Sequence, residues 1–355
     1  MLKYCRFLLL YPLLACAALG NWVGGVWMWT GVVLLAVLAL IGDDVLPRDS
    51  STPLYQHTAL LDVMLYFSLP LIGVMYLGLL TSSFEQTGVF NWIGGVLSTG
   101  FLVGIAATNI AHELMHRRSP LSELYSKVLL TFSFDLPLVI SHLYGHHVTV
   151  GLPQDHATAR RNESSYAFIW RSTMKGNLNA FHTEAKRLRA QGVAVWSWRN
   201  RFIRGHLLSV CMTALAGLLA GWQGVLLFLV CAVLSKSILE LINYIQHYGL
   251  VRVEGAPIDL RHSWNSDAVI SASLLFNLTR HSHHHADPQC PYWALKSFEK
   301  APNLPRGYLT SICLALIPPV WKKHMARPLA NWDANHATQA ERDLLCKQSL
   351  AMETT

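Results

Sequence analysis

Long apolar runs alternate with short polar segments along most of this chain. A helix that crosses a membrane needs about 20 mostly apolar residues. Six stretches reach or approach this length, namely residues 5–20, 22–42, 58–81, 90–111, 205–221 and 224–243. The pattern predicts an all-α fold, an integral membrane bundle of about six transmembrane helices.

The first run imitates a secretory signal peptide, because Lys3 and Arg6 precede an apolar stretch that ends in a Leu-Leu-Ala-Cys sequence at Cys16. A second apolar run begins at Trp22, where a secreted protein would continue with polar sequence. We therefore interpret the first two runs as an uncleaved helical hairpin, with its turn at Gly20–Asn21.

The composition agrees with a membrane protein. Hydrophobic residues make up 52% of the chain and charged residues 14%, with a mean hydropathy of +0.31, whereas a soluble domain has about 25% charged residues. In so apolar a chain, the net charge of +7 indicates basic loops beside anionic lipid and no nucleic-acid partner. The seven cysteines form no CxxC pair, so neither a rubredoxin-like iron site nor a disulfide framework is expected.

The polar segments divide the chain. We expect a four-helix transmembrane part over residues 1–111, a cytoplasmic segment over 112–204, a transmembrane hairpin over 205–246, a second cytoplasmic segment over 247–332 and a polar tail over 333–355. Lys and Arg concentrate after the fourth run and before the fifth, which by the positive-inside rule assigns both termini and the histidine clusters to the cytoplasm. The basic stretch 171–204 is expected either to lie on lipid headgroups or to dock an acidic electron carrier.

Histidines form four clusters, the densest of which is the sequence RHSHHH over residues 280–285. On a helix, His281, His284 and His285 share one face. The other clusters are HELMH at 112–116, HLYGHH at 142–147 and a single histidine in NYIQHYG at 243–249. For the cluster at 280–285 taken alone, the alternative to a structured site is a solvated histidine-rich tract that binds metal. A zinc protease built on HELMH, with Glu113 as the base, would leave the other clusters unused, so we do not favour it.

Together, in this order, the four clusters resemble the histidine boxes of the integral-membrane alkane 1-monooxygenase family, which includes the xylene and p-cymene methyl hydroxylases. The resemblance extends from about Asn109 to Trp332. It implies a non-haem di-iron centre, with two Fe ions, that uses O2 to hydroxylate a terminal methyl group. It implies nine ligands, here His112, His116, His142, His146, His147, His247, His281, His284 and His285. It also implies a separate rubredoxin or ferredoxin, with its NAD(P)H reductase.

Three positions depart from the alkane hydroxylases: Ser141 and Gln246 replace glutamates, and His283 replaces an aspartate. Gln246 is typical of the xylene branch and the RHS sequence of the alkane branch, so the substrate is either an alkane or an alkyl-aromatic. Between octane and p-xylene we favour the alkane.

Nine neutral ligands would leave two ferrous ions with a large positive charge. Neighbouring carboxylates can offset that charge or orient the rings, and the candidates by adjacency are Glu113, Asp155, Asp267 and Asp287. Asp62, one turn inside the third run, is a further candidate functional residue or a hydrated interfacial one. The histidines outside the boxes, His156, His182 and His206, are expected not to bind metal. Because imidazole suits iron, zinc and copper alike, iron itself follows only from the resemblance.

Two other functions stay open. A fatty-acyl desaturase or lipid hydroxylase shares this style of histidine box, although the NYIQHYG sequence favours a hydroxylase. A metal transporter or sensor would place its ligands near the bilayer midplane, whereas these lie at helix ends. The preferred interpretation is a hydroxylase in a bacterial inner membrane that takes a hydrophobic substrate from the lipid, with its site facing the cytoplasm.

The charge pattern generates a topology prediction. A reporter fused after Ser83 should be periplasmic, and one fused after Arg118 cytoplasmic, because Lys and Arg flank only the second position. Paired alkaline phosphatase and fluorescent protein fusions measure this. The reverse result at either position would contradict the assigned orientation.

Overall fold

A computed structural model of the protein describes residues 2–82 and 84–353. Over those residues the chain is helical, and its β pairing is limited to isolated bridges between Arg48 and Ala268 and between Asn265 and Asn303. The all-α prediction is therefore confirmed for the described part of the chain. The fusion point at Ser83 and the last two residues of the polar tail, 354–355, lie outside it.

Short turns join some of the helices, and longer irregular segments join others. In chain order they are α1 (Lys3–Val23), α2 (Gly25–Val45), α3 (Thr58–Thr81), α4 (Thr87–Met115), α5 (Pro120–Thr131), α6 (Leu138–Ser141), α7 (Ser165–Ala190), α8 (Arg201–His247), α9 (Val269–Leu274), α10 (His281–Ala286), α11 (Tyr308–Ala315), α12 (Pro318–Asn335) and α13 (Gln339–Glu353). A π-helical turn, His142–His146, continues α6. Five of these helices, α1 to α4 and α8, are long and apolar enough to cross a membrane.

Helix α8 is bent into a hairpin. Its 47 residues would extend about 70 Å if straight, more than twice the thickness of a hydrocarbon core. The backbone leaves the helical region at Ala220 and at Gly221, whose φ of 60° favours glycine. A Cβ on Gly224 would lie 2.1 Å from the carbonyl oxygen of Ala216, so the chain turns back on itself. The two arms match the predicted fifth and sixth apolar runs.

The turn between α1 and α2 lies later than predicted. It falls at Gly24 and Gly25, with φ values of 77° and 58°, and α1 continues through the predicted turn at Gly20–Asn21. The reason is that Asn21 is buried and needs hydrogen-bond partners. Its amide donates to the Met75 carbonyl at 3.0 Å and to Thr99 Oγ1 at 2.9 Å, which ties α1 to α3 and α4.

Small residues let α4 and the second arm of α8 approach closely. Gly100 faces Leu234 and Gly104 faces Ile238, and an added Cβ at either glycine would come within 2.8 Å of its neighbour. Such close packing is typical of membrane helices, where apolar burial gives little net attraction. It brings the C-terminal ends of the two helices together, and these ends carry His112, His116 and His247.

Candidate metal centre

One group of five imidazoles gathers where α4, the π-helical turn and α10 meet. One ring nitrogen from each lies within 4.8 Å of the others. His112 lies in the last turn of α4 and His116 directly follows that helix. Because residues four apart share a helix face, the two side chains lie together. The members of this five-histidine group are His112, His116, His142, His147 and His284.

A second group, of four imidazoles, lies beside the first. It takes His247 from the end of α8, His281 and His285 from one face of α10, and His146 from the π-helical turn. All four side chains are buried. The ring centroids of His147 and His285 are 4.7 Å apart, so the two groups are in contact. The nine positions predicted from the boxes thus come together as five and four.

The spacing within the groups suits ligands that converge on single ions. Nε2 of His147 lies 2.9 Å from Nε2 of His142 and 3.2 Å from Nε2 of His284. In the second group, His281 Nε2 lies 3.1 Å from His247 Nε2 and 3.0 Å from His285 Nε2. Two nitrogens bound to one metal ion at about 2.1 Å lie roughly 3.0–3.4 Å apart.

Four of the rings are held in the neutral form that binds metal. The pKa is lowered well below its usual range, first by burial and then by the neighbouring imidazoles, at His142, His281, His284 and His285. Among the described residues, the buried Nε2 atoms of His116 and His146 have no hydrogen-bond partner. Buried polar atoms without partners are unfavourable, and a metal ion would satisfy them. The residues therefore fit a metal centre.

Asp155 contacts a box histidine, as its position near the boxes predicted. Its Oδ2 lies 2.9 Å from Nδ1 of His146 and accepts a hydrogen bond from Thr158 at 2.6 Å. An imidazole that donates through Nδ1 presents Nε2 to a metal, so Asp155 fixes both the tautomer and the ring orientation of His146.

The other three candidate carboxylates point elsewhere. Glu113 accepts two hydrogen bonds from Arg117, the shorter at 2.8 Å, and Arg117 also pairs with Asp62. Asp267 accepts a hydrogen bond from Ser297, and Asp287 accepts one from the backbone of Gln289. In the described residues, no hydrogen bond joins any of these carboxylates to a box histidine.

The remaining histidines stay outside both groups. His283 Nδ1 accepts a hydrogen bond from the Lys296 backbone at 2.8 Å, on the face of α10 away from the metal-binding groups. His156 is buried beside Asp155, 3.8 Å away, and its ring centroid is 6.4 Å from that of His146. His182 and His206 lie against phenylalanine rings.

Two features were missed in the sequence. The carbonyl oxygen of His262 accepts a hydrogen bond from His247 Nδ1 at 3.1 Å, and a backbone acceptor leaves no mark in a sequence. A buried ionic cluster joins Lys236 to Asp135 and to Glu240, each at 2.7 Å. Lys236 and Glu240, four residues apart inside an apolar run, were a readable indication of it. The cluster ties α8 to the segment that leads into the π-helical turn.

Apolar helices that end in two largely buried groups of imidazoles define a membrane metalloprotein with a histidine-rich centre. A family model described as fatty acid desaturase matches residues 88–313, which include every member of both groups. The chain is also similar to named enzymes. It is 32% identical to the xylene/toluene monooxygenase hydroxylase component XylM of Pseudomonas putida over 348 residues, 96% of this chain and 92% of XylM.

Two other relatives are alkane 1-monooxygenase 1 of Pseudomonas aeruginosa and alkane 1-monooxygenase 2 of Alcanivorax borkumensis, each 38% identical. The matches cover 68% and 67% of this chain, and span 65% and 64% of the lengths of the two relatives. The chain therefore belongs to the integral-membrane alkane monooxygenase family, within the wider desaturase family.

The two groups generate a prediction about metal binding. Replacing His146 or His247 by alanine should sharply reduce the metal bound per chain, because each removes one nitrogen from the four-histidine group. His182→Ala is the matched control and should retain the wild-type content. Elemental analysis of detergent-purified protein measures both. Full metal content in His247→Ala would remove this residue from the site.

Asp155→Asn tests the orienting carboxylate. We expect metal affinity to fall about 10-fold to 100-fold, because the amide lacks the charge that holds the Nδ1 proton of His146. Asp287→Asn, an exposed change at the end of α10, is the control. Competition with a chelator gives the affinity, and equal affinities in the two variants would contradict the role of Asp155.

Proposed function

We propose that this protein hydroxylates a terminal methyl group of a hydrophobic substrate to a primary alcohol. The observation that carries the proposal is the pair of adjoining all-imidazole groups at the end of an apolar helical bundle, in which seven of the nine side chains are buried and two are half-buried. The similarity to alkane and xylene monooxygenases along most of the chain supports it. In this proposal the five-histidine and four-histidine groups each hold one iron ion.

The bound irons would supply the activation of O2, and the chain supplies the surroundings. The balanced reaction joins RCH3, O2, two electrons and two protons to give RCH2OH and water. Burial of the rings excludes bulk water, which protects a strong oxidant from side reactions. Asp155 and the His262 carbonyl hold His146 and His247 with Nε2 directed inward.

Access from the bilayer is supported by an apolar cavity of about 380 Å³ between α2, α4, α7, α8 and α11. Phe101 and Ile105 of α4 line it, eleven and seven residues before His112. These spacings bring all three side chains to one face of the helix. A hydrocarbon lying along this face would direct one end toward the histidine groups, which favours attack on the terminal carbon.

The reaction needs two external electrons. We propose a rubredoxin or ferredoxin donor, with its NAD(P)H reductase, because the sequence carries no flavin, haem or iron–sulfur motif. The Lys and Arg residues beside the predicted spans support a metal centre that faces the cytoplasm, where such carriers work. The bacterial origin of the similar enzymes supports an inner membrane location.

Product analysis under labelled oxygen tests the proposal. With purified protein, an added electron carrier and its reductase, octane should give 1-octanol that contains one atom from 18O2, and p-xylene should give less product. Omitting the carrier should abolish turnover. The desaturase alternative, which the description of the family model favours, instead predicts an unlabelled olefin formed from an acyl substrate and no product from octane.

A further inference from the structure

A short segment, Asp259–Trp264, lies between the four-histidine group and the C-terminal helices. Its central side chain, His262, is fully buried. The Asp259 backbone N–H donates to His262 Nδ1 at 3.0 Å, so the ring proton is on Nε2. That atom lies 2.9 Å from Glu341 Oε1 and donates to it. A side chain of α13 thus fixes the orientation of His262.

The other side of this segment contacts the helices that carry the metal-binding histidines. The His262 carbonyl accepts the Nδ1 hydrogen of His247, and the Trp264 N–H donates to the Gln246 carbonyl at 2.8 Å. Ser282 Oγ of α10 donates to the Leu260 carbonyl at 2.6 Å. The segment therefore links the end of α8 to α10, the two helices that supply three of the four imidazoles.

The surroundings of Glu341 hold its carboxylate in a fixed position. It is 1% exposed, and its carboxylate also accepts from Arg261 Nε at 3.1 Å and from the Thr338 backbone at 2.8 Å. Burial by itself would raise the pKa of Glu341, but the hydrogen bonds from His262, Thr338 and Arg261 lower it to about 2. The carboxylate is charged at every pH near neutral, which strengthens the hydrogen bond that it accepts from His262.

We propose that Glu341 is a positioning residue for the four-histidine group, acting through His262 on His247. The proposal rests on the ligand assignment made above, and it gives a role to the predicted polar tail. Glu341 lies beyond residue 313, where the match to the family model ends. Oε1 of Glu341 accepts from His262 and Oε2 accepts from the Thr338 backbone, whereas an amide offers one acceptor oxygen and an N–H2 group. An amide here therefore sets two donors against each other in a buried place, and adjustment at His262 moves its carbonyl away from His247 Nδ1.

The effect is expected to be local, because a second contact holds the segment in place. Trp332 of α12 is fully buried, and its Nε1–H donates to the Arg261 carbonyl at 2.7 Å. This bond does not involve Glu341. Removing the carboxylate should therefore alter one metal site and not the fold.

The test compares three variants of the full chain in detergent. Glu341→Gln removes the charge at constant size. Asp343→Asn removes an exposed charge from the same helix. Thr338→Val removes the hydroxyl that accepts from the Glu341 backbone at 3.3 Å and donates to Glu341 Oε2 at 3.0 Å. It keeps the bond between His262 and Glu341 Oε1. Each is loaded with Fe²⁺ and challenged with increasing chelator, and Co²⁺ absorption spectra report on the geometry around the metal.

We expect Glu341→Gln to weaken one class of bound ion about 10-fold, to shift the Co²⁺ spectrum and to leave the other class unchanged. Asp343→Asn and Thr338→Val should resemble the wild type in both measurements. Unchanged retention in Glu341→Gln, equal weakening of both classes, or the same loss in Thr338→Val would overturn the proposal. His247→Ala separates the two hypotheses: if that variant keeps its metal, the ligand assignment itself has failed.

Discussion

The interaction on which this structure depends is the convergence of neutral imidazole nitrogens in a dry interior. Each neutral imidazole has one ring nitrogen without a hydrogen, and in these groups that nitrogen faces the corresponding nitrogens of other rings. A buried acceptor without a donor is unfavourable. His116 Nε2 and His146 Nε2 are in this position. Without an ion, the two groups would destabilise the fold that builds them. Metal binding and the final packing of α4, α8 and α10 are therefore coupled. The residues around the rings stabilise the one geometry in which the imidazoles converge.

An all-imidazole centre also has an electrostatic problem, because its ligands bring no negative charge. Asp155 is the carboxylate that contacts a ring, and Glu113 is occupied by Arg117. The bundle supplies a second source of negative potential. Both α4 and the second arm of α8 end at the histidines, and a helix C-terminus carries about half a negative charge from its unpaired carbonyls. The close approach at Gly100 and Gly104 thus sets the field at the centre as well as the positions of the ligands.

The sequence predicted those features that depend on composition and on the spacing of residues close together in the chain. Apolar runs of bilayer length gave the spans, and histidines spaced by three or four residues gave the shared faces of α4 and α10. Asp155 was found because it lies close to a box in the chain. The prediction failed where a contact is distant. The turn at Gly24 depends on Asn21 reaching α3 and α4, which no pattern near Asn21 indicates. Glu113 is a different case, because its partner Arg117 lies only four residues further on, and that spacing was available in the sequence.

The backbone acceptor for His247 marks the limit of sequence analysis more sharply. Any residue at position 262 has a carbonyl, so the bond to His247 Nδ1 cannot be recognised from residue types. What the sequence does specify is the side chain that orients this carbonyl, and that side chain is paired with a glutamate 79 positions away. A family defined by its boxes would not reveal such a pair, because the boxes contain the ligands and the supporting residues lie elsewhere. The orientation of an imidazole in these groups is therefore set by the tertiary fold, and only its identity by the motif.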